Sequence, residues 1–124
     1  MDGYRNLDAW QRAQELVAEV YEVTGGFPDS ERFGLTSQLR RASVSVCTNI
    51  AEGYGRRNPG DLRRFVDIAH GSLSEVNCLI DLSQRLGLVS PVQVLSVRTR
   101  TVAAGQVLSG LSRWSRDRSR AKVR

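Results

Sequence analysis

The positions of apolar and polar residues predict a chain built from helices. Apolar side chains recur at steps of three and four residues along four separate stretches, and none of these stretches shows the strict alternation of a half-buried strand. The first helix is expected to take Asp8 as its N-cap and to stop at Gly25-Gly26. The second helix is expected to begin near Phe33 or Gly34.

The two later helices carry clear start signals. Asn58 is suited to cap the third helix, with Pro59 in its first helical position, and Gly87 is expected to close it. Pro91 gives a similar start to the fourth helix, which is expected to run to about Arg116.

Four helical patterns with short connections predict an all-α fold. The expected architecture is an up-down-up-down antiparallel four-helix bundle over residues 1–116. Residues 117–124 form a basic tail that has almost nothing to bury, and we expect it to be disordered.

The second helix carries few charges for an element that packs on one side only. No residue from Ala42 to Ala51 is charged, although a helix with one buried face should carry charges on the other. Its apolar stripe is expected to face the core, and Gly53 and Gly55 to end it. We expect its small, uncharged far side to pack against another subunit, and the alternative is a weakly polar exposed face. This far side comprises Ser37, Val44, Cys47 and Ala51.

Polar residues border the predicted core between the second and third helices. Antiparallel pairing of these helices places Glu75 within a turn of Arg41, where an ion pair would fix their register or join subunits. Asn49 and Glu52 lie on the same border, and a catalytic carboxylate pair is the sharper alternative. Gly71 lies in the middle of the predicted third helix, where glycine is unfavourable. Close approach of another chain would explain its presence, and the alternative is chance.

Composition fits one globular domain without obvious cofactor chemistry. The chain has 124 residues, of which 40% are hydrophobic, and no run approaches the roughly 18 apolar residues of a membrane span. No signal-peptide pattern opens it, so a cytoplasmic location is expected. Cys47 and Cys78 are isolated, which favours buried free thiols over a disulfide or a metal site. We expect no cofactor, no metal and no small-molecule substrate.

The positive charge is concentrated at the C-terminus. The formal net charge of the chain is +5, and the segment from Arg113 to the last residue alone accounts for this excess. We expect the tail to contact RNA or DNA phosphates without reading sequence, and the alternative is a merely solubilising tail. The candidate contacts are Arg113, Arg116, Arg118, Arg120, Lys122 and Arg124.

Several motifs together resemble a known bacterial family. The most specific block is Asn49-Ile50-Ala51-Glu52-Gly53 with Gly55-Arg56. On this block and the motifs below, which span roughly residues 5 to 90, the chain resembles the family of four-helix-bundle proteins encoded in intervening sequences of 23S ribosomal RNA genes. The other matching motifs are Leu7-Asp8-Ala9-Trp10-Gln11, Tyr21 with Thr24, Phe27-Pro28, Glu31-Arg32-Phe33-Gly34-Leu35, Gln38-Leu39-Arg40-Arg41-Ala42, Arg64-Phe65, Ile68-Ala69, Gly71-Ser72-Leu73, Glu75 and Arg85-Leu86-Gly87.

The resemblance implies a four-helix bundle that assembles into a ring of five subunits, and it implies no defined activity. Cys47 departs from the family pattern, which often has a proline or another small residue there. The function we expect is that of a non-enzymatic, homopentameric interaction or scaffold protein. The alternative is an RNA-cleaving helical-bundle enzyme that uses His70 and Arg64, although six residues along an ideal helix leave two side chains about 120° apart.

Overall fold

A computed structural model describes residues 3–56 and 58–123, with side chains described for these residues except Pro59 and residues 115–123. The described part contains four α-helices, two short 3-10 helices (Gly3–Asn6 and Asp29–Glu31) and no strand. The helices are α1 (Asp8–Thr24), α2 (Leu35–Tyr54), α3 (Pro59–Arg85) and α4 (Pro91–Val123).

The helices form the predicted all-α bundle. Each one packs against the next along the chain, and α4 returns to pack against α1. Cross-helix contacts confirm the antiparallel order: Ser72 of α3 bonds Ser45 of α2, and Thr101 of α4 bonds Asn77 of α3. Among the described helices, none combines the length and the apolar character that crossing a bilayer requires.

The predicted stripe of α2 occupies the centre of the bundle. All five of its apolar members are buried, and the core continues through the apolar stripes of the other helices. The hydroxyls of Thr24, Ser43 and Ser83 are buried too, and each donates to a backbone carbonyl of its own helix, so none lacks a partner. The members of the α2 stripe are Leu35, Leu39, Ala42, Val46 and Ile50.

The start of α1 differs from the prediction. Asp8 is the first residue of the helix, and Leu7 occupies the cap position without a side-chain cap. A carboxylate in the first turn still interacts favourably with the positive end of the helix dipole, so Asp8 suits the site without capping it.

Gly53 does not end α2, contrary to the prediction. It is buried inside the helix, and a Cβ added there would lie 2.8 Å from Cβ of Phe65 in α3. A side chain at this position would therefore push the two helices apart. Gly55 is the residue that caps α2, as predicted.

Both predicted ends of α3 are confirmed. The side chain of Asn58 accepts a hydrogen bond from the backbone N–H of Gly60 at 2.8 Å, and Pro59 takes the first helical position. Gly87 has a φ of 76°, the left-handed conformation that glycine adopts without strain after a helix.

The predicted end of α4 near Arg116 is wrong, because the helix continues to Val123. No glycine or proline follows Gly110. The arginines, lysine and alanine between Gly110 and Val123 favour helix, and each residue that joins the helix adds one more backbone hydrogen bond. The division of the chain into a bundle and a basic tail stays a prediction, since the side chains from residue 115 onward lie outside the described part.

Candidate subunit interface and arginine-rich end

A chain of hydrogen bonds joins the middle of α2 to α3. The amide nitrogen of Asn49 donates to the carbonyl and hydroxyl oxygens of Ser45, at 2.8 and 3.0 Å. The hydroxyl of Ser72 donates to the hydroxyl oxygen of Ser45 at 2.9 Å. The amide nitrogen of Asn49 is therefore bonded within its own helix, and the bond between Ser72 and Ser45 links α2 to α3.

Next to this network lies an open cleft of about 530 Å³ between α2 and α3, which we call the α2–α3 cleft. It brings together Arg41 and Glu75, as the sequence predicted. Within the described residues, however, no ion pair or hydrogen bond joins them, so the expected bridge is not made inside one chain. The other residues lining the cleft are Phe33, Ser37, Gln38, Ala42 and Ser45.

Phe33 lies at the mouth of the cleft with 89% of its surface exposed. The guanidinium carbon of Arg32 lies 5.3 Å from the centre of its ring, so one face of the aromatic side chain is partly occupied. The sequence analysis predicted only a helix start near Phe33. Its exposure could have been predicted, because it is an aromatic residue just before Gly34 and outside the apolar stripe of α2.

The far side of α2 matches its prediction only in part. Val44 is exposed, and Ser37 and Ala51 are half-buried. Cys47 instead packs against the core, and burial raises the pKa of its thiol to about 11. Cys47 thus lies half-buried at the border between the far side and the core, and its contact with another subunit stays a prediction.

Glu52 lies further along α2, where it pairs with Arg56 of the same helix end at 3.2 Å. Both side chains are largely exposed, so the pair contributes little to stability. With Thr48, Ala51 and Gly55 they line a shallow depression on the outer surface of α2. In the structure Glu52 thus belongs to this surface and lines a different depression from Glu75.

Gly71 lies exposed on the outer surface of α3, and a Cβ added there would meet no atom within 4 Å. Nothing among the described residues therefore requires glycine at this position. Ile68 and Leu82 of α3 and Leu86 at its C-cap are exposed too, so the outside of this helix has an apolar component.

The opposite end of the α2–α3 pair is rich in arginine. Arg56 and Arg64 both approach the ring of Phe65, at 5.1 and 5.0 Å from its centre. A cavity of about 430 Å³ lies beside them and is lined by Gly60, Arg63, Arg64, Asp67 and Ser112. We call this cavity, with the residues that line it, the arginine cavity.

The arginine cavity brings α4 next to the start of α3, since it contains Ser112. Arg113 follows Ser112 and is exposed. The remaining predicted nucleic-acid contacts have side chains outside the described part, namely Arg116, Arg118, Arg120, Lys122 and Arg124. Arg56, Arg63 and Arg64 were not among the predicted nucleic-acid contacts, although an antiparallel bundle necessarily places the α2–α3 turn at the end where α4 finishes.

No contact among the described residues joins the pair proposed for RNA cleavage. Arg64 lies 4.0 Å from the carboxylate of Asp61 and over the ring of Phe65. His70 is half-buried, and no contact between the described residues links it to Arg64. In the same part of the chain, no group of three or more His, Cys, Asp or Glu side chains is placed to hold a metal ion.

Comparison with known families agrees with this architecture. The family described as "23S rRNA-intervening sequence protein" matches residues 5–110. The chain belongs to this family. The match reaches into α4, further than the motifs of the sequence had suggested. No curated protein is similar enough in sequence to match the chain.

In this 23S rRNA-intervening sequence protein, the block that carried the resemblance has a clear structural role. Asn49 bonds to Ser45, which is the residue that contacts α3, Ile50 is fully buried, and Gly53 permits the close approach to Phe65. Arg56 lies over the same ring. The block therefore builds the α2–α3 pair and leaves the cleft and the arginine cavity at its two ends.

Proposed function

We propose that this chain is a non-enzymatic interaction protein that assembles with copies of itself through the α2–α3 cleft. The observation that carries the proposal is the pair Arg41 and Glu75. Both line one cleft, neither makes a bond inside the described chain, and their charges are opposite. Such a surface suits a partner that places an acidic group against Arg41 and a basic group against Glu75. A second copy of the same chain carries both groups.

Phe33 supports this proposal from the rim of the cleft. A large aromatic side chain that is 89% exposed gains substantially when a partner covers it, and buried aromatic residues often supply much of the affinity of an interface. The ring of five subunits is carried over from the family resemblance. The cleft itself supports association and is silent on the number of copies.

Reversing the two charges singly and then together tests the proposal. Arg41→Glu gives a cleft with two acids and Glu75→Arg one with two bases, so each single variant should remain unassembled on size-exclusion chromatography. The double variant Arg41→Glu/Glu75→Arg restores opposite-charge contacts between neighbouring copies and should assemble. Arg12→Glu on α1 is the control and should assemble like the wild type. If each single variant assembles, or the double variant stays unassembled, the cleft is not the interface.

A second activity, nonspecific nucleic-acid binding, is favoured by the charge at the C-terminal end of α4. Arg113 is exposed there, and five further basic residues follow it in the sequence. In a ring their number would be multiplied, which strengthens weak phosphate contacts. Deleting residues 116–124 should abolish a salt-dependent gel shift with RNA, and an unchanged shift would remove this segment as the carrier.

The absence of catalysis is also part of the proposal. Arg64 is engaged by Asp61 and Phe65 on a different side of α3 from His70. Incubation of RNA with the wild type and with His70→Ala should leave the RNA intact in both. Cleavage by the wild type that the variant loses would replace the interaction protein with an RNA-cleaving enzyme.

A further inference from the structure

The arginine cavity has the chemistry of a phosphate site on the folded bundle, separate from the basic segment that follows it. Two guanidinium groups, from Arg63 and Arg64, and the hydroxyl-bearing Ser112 line the same space of about 430 Å³. Guanidinium and hydroxyl groups are the side chains that most often contact nucleic-acid phosphates. Two helices distant in sequence supply them, so the cavity exists only in the folded chain.

One of the two arginines that line this cavity already has contacts inside the chain. Arg64 lies over the ring of Phe65 and 4.0 Å from Asp61. Arg56 lies near the same ring, outside the lining of the cavity, and pairs with Glu52 at 3.2 Å. A side chain that already has contacts loses less conformational entropy when it binds, so Arg64 is better placed than an arginine without such contacts.

The start of α3 adds a favourable field to the same cavity. Gly60 lies in the first turn of a long helix, whose N-terminus carries partial positive charge. The backbone N–H of Gly60 already donates to the side chain of Asn58, so it is not counted among the donors. The direct contacts are therefore expected from the side chains of Arg63, Arg64 and Ser112.

One residue in the cavity opposes an anion. Asp67 brings a carboxylate to the lining and has no ion pair within the described residues. It should repel a phosphate and limit the affinity of the site. Substituting Asp67 should therefore raise the affinity for nucleic acid, whereas substituting an arginine should lower it. A purely structural role of the cavity would not produce these opposite effects.

We infer that the arginine cavity binds the phosphodiester backbone of nucleic acid and that the C-terminal part of α4 extends this contact. From Ser112 to Val123 the helix covers about 16 Å, at about 1.5 Å per residue, so basic positions continue directly from the cavity. This inference rests on the proposed nucleic-acid binding, and it moves part of that binding from the C-terminal segment to the bundle.

The experiment measures fluorescence anisotropy of two labelled probes, a short oligouridylate and a short DNA duplex, over a range of salt concentrations with the full chain. Arg63→Gln/Arg64→Gln should weaken binding of both probes about tenfold at low salt and lower the salt slope by about one per arginine. Asp67→Asn should strengthen binding. Arg85→Gln/Arg98→Gln removes the same charge towards the other end of the bundle and should change affinity less than twofold.

The outcomes separate the cavity from the C-terminal segment. If the double cavity variant binds like its control while deletion of residues 116–124 abolishes binding, the inference is overturned and the proposed function stands. If the wild type binds neither probe, both fall. A loss confined to one probe would contradict a backbone-phosphate site, because both probes carry the same phosphodiester. Circular dichroism of each variant should show wild-type helicity, since the substituted side chains lie on the surface.

Discussion

Arg40 and Arg41 are neighbours in the sequence and lie on opposite edges of α2. The guanidinium of Arg40 lies 4.4 Å from the centre of the Tyr21 ring, and its Nε donates to the hydroxyl of Thr24 at 2.9 Å. Arg41 faces the α2–α3 cleft beside Glu75 and bonds to no described residue. One arginine is thus used inside the chain, and the other remains for a partner.

The difference follows from helix geometry. One residue along an α-helix turns the side chain by about 100°, which takes Arg40 to the edge packed on α1 and Arg41 to the edge beside α3. The α1 edge is closed by contacts within the chain, whereas the α3 edge holds a cleft with opposite charges. The same residue type therefore makes contacts within the fold at one position and is left for the proposed partner at the next.

The largest expected effect comes from the contact that sets the spacing of α2 and α3. Gly53→Ala places a Cβ 2.8 Å from Cβ of Phe65, so the helices must shift. We expect the free energy of unfolding to fall by about 2–3 kcal/mol in urea denaturation, as is typical of overpacking. Gly71→Ala is the matched control. Its Cβ meets open space within the chain, and the better helix propensity should raise stability by up to about 1 kcal/mol.

Substituting the two arginines compares the edges directly. Arg40→Ala loses the contact with Tyr21 and the hydrogen bond to Thr24, and should lower the free energy of unfolding by about 1–2 kcal/mol. Arg41→Ala should change the stability of the unassembled chain by less than about 0.5 kcal/mol, because it breaks no bond inside the chain. Equal losses, measured by urea denaturation of dilute protein, would show that both edges are structural.

A smaller effect is expected from the hydrogen bonds beside the cleft. Ser72→Ala removes the donor to Ser45, while Ser45 keeps its contact with Asn49. The expected loss in unfolding free energy is about 0.5–1 kcal/mol. Ser74→Ala serves as control, because Ser74 is exposed and lies two residues further along α3, outside the network. If Ser72→Ala lowered the free energy of unfolding more than Arg40→Ala, the α3 edge would contribute more to stability than the α1 edge, contrary to this account.

The smallest expected effect concerns the reactivity of the two cysteine thiols. It tests the packing of Cys47 against the core without a mutation. Burial raises the pKa of Cys47 to about 11 from 9.0, so its thiolate fraction near neutral pH falls about a hundredfold. Cys78 is exposed on α3 and should react first with a thiol-specific disulfide reagent at pH 8. Reaction of Cys47 should quicken as the pH rises towards 11, and in urea both should react alike. Equal rates in the folded chain would contradict the packing of Cys47 against the core.

Much of the fold could be predicted from the sequence because it depends on local signals. The apolar stripe of α2, the cap at Asn58 and the left-handed Gly87 each require only neighbouring residues. The role of Gly53 could not be predicted, since its reason is a residue of the next helix. The length of α4 was underestimated because lack of burial was taken to end a helix that has good propensity and no breaker.

The candidate site was predicted less completely than the fold. Sequence spacing brought Arg41 and Glu75 to one cleft, but it could not decide whether they bond, because that depends on distances between side chains. The arginine cavity was missed because Arg63, Arg64 and Ser112 become neighbours only through the antiparallel packing of α3 and α4. Net charge along the sequence pointed to the C-terminus alone.

The absolute mass of the wild-type chain in solution tests the central claim most directly. Multi-angle light scattering over a range of protein concentrations should give five times the chain mass of 13.8 kDa. Arg41→Glu should give the mass of a single chain under the same conditions. A wild type that remains at 13.8 kDa at every concentration would contradict self-assembly through the α2–α3 cleft.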